Sequence, residues 1–356
     1  MIIDIMKPED ARVSARLGVI DRYISFTWID RYYSAGEFSL KLDYRDDLYS
    51  LLAPKNVLYL PYNGKRAQYI TSRVVREDTP NHYVMEVKGK DPRILLQRRI
   101  LLQGYPLDSQ YFVSEEIEKF LNANIGTGAG VYRSLQSVIN FDIPPSGSPS
   151  TKVIYIPAGV TLDEAIRRTW QSDKIGWKLS VPTEDYPTTT QRTLVMESGV
   201  GYPDVVFSRE HDSGKLTQIE SNYVESPNWA AAYGDGVFTA QRMKPSNATG
   251  PIGIDRYEGA VNVSGVAKSP DASDRWEALL SGAALEAISE SGKYRDAMEF
   301  EAFENTPYRY GIDYDIGDRV RVQSNIGNIP VTPARVIEYV RSDDESGFHE
   351  YPVLSV

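Results

Sequence analysis

Apolar and polar residues alternate across residues 19–42, and this pattern constrains the fold more than any other feature of the chain. Apolar side chains occupy every second position in two runs, namely Ile24, Phe26 and Trp28, followed by Phe38, Leu40 and Leu42. A period of two places each run on one face of a β-strand. Between the runs, Ser34-Ala35-Gly36 predicts a reversal in which Gly36 supplies the positive φ of a tight turn. The sequence therefore predicts a hairpin with a buried aromatic face, around which further β-structure is laid.

The composition favours several β-rich units and argues against nucleic-acid binding. A chain of 356 residues with 41% hydrophobic content is long enough for about two to four compact units. Its 24 tyrosines, 26 glycines and 21 prolines suit strands, turns and polar contact surfaces better than a helical bundle. The net charge of −10 argues against a general nucleic-acid binder, which needs a basic face. Arg93, Arg98 and Arg99 are one candidate for a local basic patch.

The chain contains no cysteine, which excludes disulfides, cysteine-bound metals and thiol catalysis. Its first residues, MIIDIMKPEDAR, become charged too early to match a signal peptide. No apolar run approaches the ~18 residues that a membrane-spanning helix needs. We therefore expect synthesis in a cytosol without a signal peptide, and no membrane anchor.

Residues 1–105 predict a first antiparallel β-domain, which we expect to be a small closed or half-closed barrel. Residues 1–18 are expected to be an extended lead-in to the hairpin, and residues 48–53 a connector. Further strands are predicted at residues 57–61, 66–76 and 83–88, with turns at Asn63-Gly64 and around Asp78, Pro80 and Asn81. The Arg-rich residues 92–102 predict a short helix.

Residues 106–205 predict a smaller α+β unit. Ser114 is a suitable N-cap for a helix that ends near Asn124 and Gly126. Thr161 and Glu164 have the spacing of a capping box, which predicts a second, amphipathic helix. Strict alternation then predicts a strand at residues 175–181, with its partner at residues 193–196.

Residues 206–356 predict a second β-barrel region that contains the longest helix, at residues 271–291. Strands are predicted at residues 205–208, 216–223, 228–233, 237–243, 256–263, 297–303, 319–323, 329–331, 334–341 and 351–356. The predicted fold class is therefore mainly β with an α+β insertion: two small antiparallel β-barrel domains, a smaller α+β unit and one long helix. The three domains can be discontinuous, with middle segments completing the first barrel.

Residues that often carry chemistry are present, but their spacing does not predict a site. His82, His211 and His349 stand singly in polar or turn-like surroundings, which favours solvated histidines over a metal site. Asp313, Asp315 and Asp318 lack the alternation and distal Glu of a calcium loop. We interpret them as a turn, with Gly317 at positive φ and Asp318 accepting hydrogen bonds from backbone amides.

Other short motifs also fall short of the patterns they resemble. The glycine run at residues 126–130 does not open a helix after a strand, and Gly214-Lys215 lacks the earlier glycine of a phosphate-binding loop. Asn247-Ala248-Thr249 matches a glycosylation sequon without a secretory signal. We predict no catalytic, cofactor-binding or metal-binding residue, although a pair of carboxylates for glycan hydrolysis stays open among the 49 acidic residues.

Five stretches in a fixed order nevertheless resemble a known family. They are FTWIDRYYSAGEFSLKL at residues 26–42, MEVKGKDPRILLQRRI at 85–100, TLDEAIRRTWQSDKIGWKL at 161–179, the pieces VVFSRE, NYVESPNWAAAYGDG and GIDRYEGAV within 205–261, and YGIDYDIGDRVRV at 310–322. Together they resemble the tail-tip hub, or tail-associated (Gp37-like, Tal-like), proteins of siphophages, which are similar in fold to the baseplate hubs of contractile tails. One departure is Gly89-Lys90-Asp91, where similar proteins often have Gly-Arg-Asp.

The resemblance implies a structural role in a virion. Such proteins form a homotrimer that closes the distal end of the tail tube and opens for DNA passage. Two barrel domains per subunit give a pseudo-sixfold ring, which matches the sixfold tube. The implied partners are a distal tail ring protein, a tape-measure protein and receptor-binding or fibre proteins, with DNA only in transit through the lumen.

Two alternatives from other functional classes stay open. One is a receptor-binding or carbohydrate-binding tail module that stacks exposed tyrosine and tryptophan on sugars. The other is a cell-wall glycan hydrolase, which requires a pair of carboxylates.

Overall fold

The structure is a computed structural model of the 356-residue chain. It describes residues 2–9, 12–60, 66–107, 113–135, 140–142, 154–156, 158–170, 175–180, 193–197, 201–210, 212–223, 229–234, 242–245, 256, 258–262, 277–278, 280–284, 294–303, 306–324 and 329–355. The mainly β class is confirmed, since strands outnumber helices throughout these residues. None of the helices in these ranges is long and apolar enough to cross a membrane.

The first region is antiparallel β-structure. Its elements are β1 (Ile3–Glu9), β2 (Arg12–Ile20), β3 (Ser25–Arg31), β4 (Glu37–Asp43), α1 (Asp46–Leu51), β5 (Val57–Leu60), β6 (Arg66–Thr79), β7 (His82–Lys90) and α2 (Ile94–Gln97). The expected lead-in is instead a hairpin, because β1 and β2 pair antiparallel from Ile3↔Ile20 to Glu9↔Arg12. The connector contains the short helix α1, whereas the predicted turn at Asn63-Gly64 lies outside the described residues.

The predicted central hairpin is confirmed as β3 and β4, with Phe26 opposite Leu40 and Trp28 opposite Phe38. These four side chains are buried together, and the rings of Trp28 and Phe38 stack with centroids 5.8 Å apart. The role predicted for Gly36 is wrong, since its φ is not among the positive values. Glycine is needed there for close approach, because an added Cβ would lie 2.5 Å from the carbonyl oxygen of Ile29.

The middle region is a small α+β unit, as predicted. Its elements are β8 (Tyr105–Leu107), α3 (Val113–Asn124), β9 (Asn140–Asp142), β10 (Ile154–Ile156), α4 (Leu162–Trp170), β11 (Gly176–Ser180) and β12 (Thr193–Glu197). Thr161 caps α4 as expected, because its hydroxyl accepts a hydrogen bond from the Glu164 amide at 3.2 Å. The predicted pairing of β11 with β12 is also confirmed, from Gly176↔Glu197 to Ser180↔Thr193.

The last region returns to β-structure. Its strands are β13 (Gly201–Phe207), β14 (Gly214–Tyr223), β15 (Trp229–Gly234), β16 (Arg242–Pro245), β17 (Glu258–Asn262), β18 (Tyr294–Ala302), β19 (Arg319–Ser324), β20 (Ile329–Asp344) and β21 (Gly347–Ser355). The two strands predicted at residues 329–341 are one continuous strand, β20. Of the long helix predicted at 271–291, residues 277–278 and 280–284 are described and helical, and Leu280 packs against β15.

Thirteen strands from the first and last regions form a single sheet, in the order β14-β18-β21-β20-β3-β4-β7-β6-β5-β1-β2, with β13 and β19 attached at β20. The seam is the antiparallel pairing of β3 with β20, from Phe26↔Asp343 to Arg31↔Glu338. The expectation of two closed barrels is wrong for the strands that the structure describes. The edge of β3 that would have closed a first barrel against β2 is already paired with β20.

Candidate functional site

The three regions meet at Tyr32, immediately after β3. Its amide donates a hydrogen bond to the carbonyl oxygen of Ile337 in β20 at 2.9 Å. Its own carbonyl oxygen accepts a hydrogen bond from the amide of Trp177 in β11, also at 2.9 Å. One residue of the central hairpin therefore connects the last region to the middle region through its backbone.

The ring of Tyr32 is fully buried between two glycines, one from each neighbouring region. A Cβ atom added at Gly176 would lie 2.6 Å from the ring, and one at Gly317 would lie 2.3 Å from it. Gly317 also has a φ of +87°, which favours glycine independently of the contact. Both glycines belong to stretches that carried the family resemblance, and this junction gives the physical reason for their presence.

A buried ion pair beside Tyr32 fixes the same junction. Asp91 and Arg93 have side chains that are only 6% and 4% exposed, and Arg93 Nε lies 2.9 Å from Asp91 Oδ2. Arg93 Nη1 donates to the carbonyl oxygen of Tyr32 at 3.2 Å, and Asp91 Oδ2 accepts a hydrogen bond from the Gly36 amide at 2.6 Å. The pair therefore holds the turn of the central hairpin and the entry to the middle region in one arrangement.

This geometry corrects the proposed basic patch. Arg93 is buried and neutralised by Asp91, whereas Arg98 is exposed and Arg99 half-buried. The sequence did not reveal the pairing, since Asp91-Pro92-Arg93 contains no periodic signal that distinguishes a buried charge from an exposed one.

Asp30 links the core of the first region to that of the last. Its two carboxylate oxygens accept hydrogen bonds from Trp28 Nε1 at 3.0 Å and from the Tyr310 hydroxyl at 3.2 Å. The ring of Tyr310 stacks on that of Tyr339 with centroids 3.7 Å apart and planes 5° from parallel. Burial raises the pKa of Tyr339 and that of Tyr314 beside it, so both phenols stay neutral.

The described histidines lie away from this junction, whereas the aspartate cluster reaches it through Gly317, which packs against Tyr32. His82 is half exposed near Asp43 and Asp78, His349 lies 3.2 Å from the Ser346 hydroxyl, and His211 is outside the described residues. The turn predicted around Gly317 is confirmed, because Asp318 accepts a hydrogen bond from the Asp315 amide at 2.8 Å. Within the described ranges, no group of His, Asp and Glu side chains has the geometry to hold a metal ion.

The described glycine-containing motifs lie at the ends of secondary-structure elements. The run at residues 126–130 follows the end of α3, where the amides of Gly126 and Gly128 bond to carbonyl oxygens of Leu121 and Asn122. A helix C-terminus presents carbonyl oxygens and does not favour phosphate. Gly214-Lys215 begins β14, and the sequon at Asn247 is outside the described residues.

Two exposed features on the surface were missed by the sequence reasoning. The first, here called the tyrosine depression, is a hollow of about 420 Å³ lined by Tyr44, Tyr49, Arg73, Val75 and Tyr83. The second, here called the apolar loop, is the segment at residues 130–133, in which Val131 is 82% and Tyr132 95% exposed. Neither feature could be predicted from the sequence, because the exposure of its residues does not follow the local pattern of apolar and polar side chains.

Comparison with known proteins identifies relatives along the whole chain. The model of the family described as Siphovirus ReqiPepy6 Gp37-like protein matches residues 12–351. No curated protein sequence matches the chain. A solved structure of the 43 kDa tail protein of prophage MuSo2 from Shewanella oneidensis is similar, with 12% identity and a TM-score of 0.57 over 100% of this chain and 98% of that one.

Two further solved structures have the same fold. The prophage tail protein gp18 from Listeria monocytogenes EGD-e has 10% identity and a TM-score of 0.55, over 100% of this chain and 94% of that one. The tail protein from Neisseria meningitidis MC58 has 10% identity and a TM-score of 0.54, over 99% of this chain and 96% of that one. At these identities the comparison shows a shared fold.

Proposed function

Because the chain belongs to the family of Siphovirus ReqiPepy6 Gp37-like proteins, we propose that it is a structural tail protein that works as a tail-tip hub. In this role three copies associate into a ring, close the distal end of the tail tube and open for DNA passage. The fold shared with prophage tail proteins along the whole chain supports a place in the virion tail. The expected partners are a distal tail ring protein, a tape-measure protein and receptor-binding or fibre proteins.

The single observation that carries this proposal is the seam between β3 and β20. In this proposal the seam joins two β units side by side in one sheet within each chain, which the pairing of β3 with β20 supports. Three chains around a threefold axis then present six β units, which suits an adaptor between a sixfold tube and a threefold tip. We propose the corresponding division into residues 1–105, 106–205 and 206–356, with the first and last units joined at the seam.

A non-enzymatic role is part of the proposal. The buried carboxylates at the junction already serve the fold: Asp30 binds Trp28 and Tyr310, and Asp91 binds Arg93. A catalytic pair for glycan hydrolysis needs carboxyl groups that face a substrate. A sugar-binding role is tested separately, by binding of host wall polymers to the purified protein.

The native mass of the purified chain over a range of concentrations tests the proposal. One chain has a mass of 40.0 kDa, so a closed trimer has a mass of about 120 kDa. We expect a trimer that does not grow further, and particles with six similar lobes in electron micrographs. A monomer at every concentration, together with binding or turnover of wall polymers, would favour the alternatives.

A further inference from the structure

The apolar loop is held rigidly although its tip faces solvent. Arg133 Nη2 donates to the carbonyl oxygen of Ile100 at 2.7 Å, and Arg133 Nε donates to that of Asn124 at 3.3 Å. The Leu135 amide bonds to the Ile125 carbonyl oxygen at 2.8 Å, and the Leu135 side chain is buried. A loop anchored on both sides thus presents Val131 and Tyr132 outward. Two apolar side chains at a fixed, exposed position indicate a contact surface.

Further apolar and basic residues lie in the segment that anchors this loop. Ile100 and Leu102 are exposed beside the anchor of the loop. Arg98 and Arg99 immediately precede Ile100 in the chain, and the Arg99 guanidinium bonds to the Arg98 carbonyl oxygen. The loop is therefore an apolar tip anchored by the basic Arg133, with Arg98 and Arg99 next to its anchor residue Ile100 in the chain.

The tyrosine depression has the opposite shape, and acidic residues lie beside it although Arg73 lines it. Its rings are fixed against one another, with Tyr44 at 5.7 Å from Tyr49 and 6.5 Å from Tyr83. Asp46 accepts a hydrogen bond from the Tyr44 hydroxyl, and Asp43 and Asp78 flank His82 next to Tyr83. The hollow of about 420 Å³ has room for a tyrosine ring together with a branched aliphatic side chain.

The contacts inside the depression favour a protein side chain over a sugar. The Arg73 guanidinium lies 3.4 Å from the centroid of the Tyr49 ring and bonds to the Tyr49 carbonyl oxygen. One face of Tyr49 is therefore occupied, and the Tyr44 hydroxyl is engaged by Asp46. A sugar needs an open aromatic face with free hydrogen-bonding groups around it, whereas tyrosine and arginine around a hollow are typical of protein hot spots.

In the single chain the apolar loop does not fill the depression, because Tyr132 is 95% exposed. Tyr83 lies near the start of β7, and Lys90 at its end leads into α2 and Ile100. The span from Tyr83 to Lys90 alone is about 23 Å at the rise of a β-strand. Two complementary features at separate places on one chain are the elements of a heterologous interface, which closes into a ring when the rotation permits.

We propose that the apolar loop of one copy, with Tyr132 at its tip, inserts into the tyrosine depression of a neighbouring copy. This inference rests on the proposed homotrimer and assigns its contact surface. Arg133 beside the loop tip then approaches the acidic residues Asp43, Asp46 and Asp78 beside the depression. Three equivalent insertions complete the ring, and no depression or loop is left open.

The absence of cysteine from the chain allows a specific crosslinking test. The variant Val131→Cys/Tyr83→Cys, which keeps Tyr132, is treated with a short bismaleimide and separated on a denaturing gel. We expect covalent dimers and trimers, and none beyond the trimer. The matched control Val131→Cys/Phe348→Cys places the second thiol at another exposed aromatic position and should remain monomeric on the gel.

A second measurement gives the strength of the contact. Tyr132→Ala should raise the concentration at which the trimer dissociates at least about tenfold, since a central aromatic residue dominates such an interface. Tyr132→Phe keeps the ring, so its trimer should dissociate at a concentration close to that of the parent. Because Tyr132 is almost fully exposed in the single chain, neither change should disturb folding, and circular dichroism checks this point.

The outcomes separate this inference from the proposed function. A parent trimer that gives no crosslink and is unaffected by Tyr132→Ala would overturn the contact and leave the hub intact. A parent that is monomeric throughout would overturn the homotrimer and this contact with it. Crosslinked chains longer than three would overturn the closed ring. Wall polysaccharide that binds the parent but not Tyr83→Ala, with association unchanged, would assign the depression to a sugar instead.

Discussion

The cores of the first and last regions bury different chemistry. The core of the first region consists of aliphatic and aromatic hydrocarbon apart from the indole of Trp28 and the thioether of Met85, and it includes Phe26, Phe38 and Leu40. The core of the last region contains four buried tyrosines, namely Tyr32, Tyr310, Tyr314 and Tyr339. Hydrocarbon burial stabilises without regard to direction, whereas each buried hydroxyl requires a partner. The first core therefore supplies stability, and the last core fixes one arrangement of its neighbours.

This difference explains how the two regions are joined. Tyr310 uses its hydroxyl to reach Asp30 in β3, and Tyr32 of the hairpin packs among residues of the last core. Phenols thus bond across the seam that backbone pairing of β3 with β20 creates. The rigidity proposed for the hub therefore depends on a few polar bonds at the seam, although most buried side chains lie in the two cores.

The largest effect is expected from opening the hydrocarbon core. Phe26→Ala removes a side chain that is 1% exposed and should lower the free energy of unfolding by about 3–5 kcal/mol. Chemical denaturation followed by circular dichroism measures the loss. The matched control Thr27→Ala changes the opposite face of the same strand and should stay within about 0.5 kcal/mol of the parent. Equal losses in both variants would contradict the assignment of the buried face.

A loss of similar size, at a polar position, is expected at the junction. Arg93→Met leaves the Asp91 carboxylate buried without its cation and should cost about 3–5 kcal/mol. The neighbour Arg98 is exposed, so Arg98→Met should change the stability by no more than about 0.5 kcal/mol. A small effect of Arg93→Met would mean that the ion pair does not hold the junction, and that apolar packing around Tyr32 is sufficient.

The seam between the two cores is tested by Tyr310→Phe. This change keeps the stacked ring but removes the hydroxyl that donates to Asp30, and should cost about 1.5–3 kcal/mol, as for a hydrogen bond to a charged group. Tyr44→Phe removes a hydroxyl from the exposed Asp46 and should leave the stability close to that of the parent. Amide hydrogen exchange should be faster in β20 and β3 for Tyr310→Phe alone. Unchanged exchange in these strands would show that the hydroxyl does not stabilise the seam.

Elements with strong local patterning were predictable from the sequence. The alternation of Phe26 and Trp28 identified β3 and its buried face, and the spacing of Thr161 and Glu164 identified the start of α4. The residues that form each of these patterns lie within a few positions of one another, so each pattern can be recognised in a single sequence. The turn at Gly317 was predictable for the same reason.

The pairing of strands and the candidate site could not be predicted in the same way. Alternation indicates which face of a strand is buried, but it does not indicate which strand lies beside it. The partners Arg31 and Glu338 are separated by 307 residues, and the ion pair at Arg93 resembles an exposed charged stretch. The two β units were therefore predicted as separate barrels, although β3 and β20 join them into one sheet.

The difference between the two cores should also appear as a difference in their response to alkali. Burial raises the pKa of Tyr314 and of Tyr339 above the value of about 10 that tyrosine has in an unfolded chain. The unfolded chain therefore loses these two protons first as the pH rises. The stability that the neutral phenols contribute is fully present below about pH 10 and decreases above it, by about 1.4 kcal/mol per pH unit for each tyrosine.

Denaturation midpoints at closely spaced values above pH 9 measure this slope. The double variant Tyr314→Phe/Tyr339→Phe has lost both titrating groups, so its stability should fall less steeply with pH than that of the parent. Tyr49→Phe/Tyr83→Phe removes two exposed phenols outside the core and should retain the slope of the parent. Identical slopes in the parent and in Tyr314→Phe/Tyr339→Phe would show that the phenols of the last core ionise without unfolding. The contrast between the last core and the hydrocarbon core of the first region would then lose its basis.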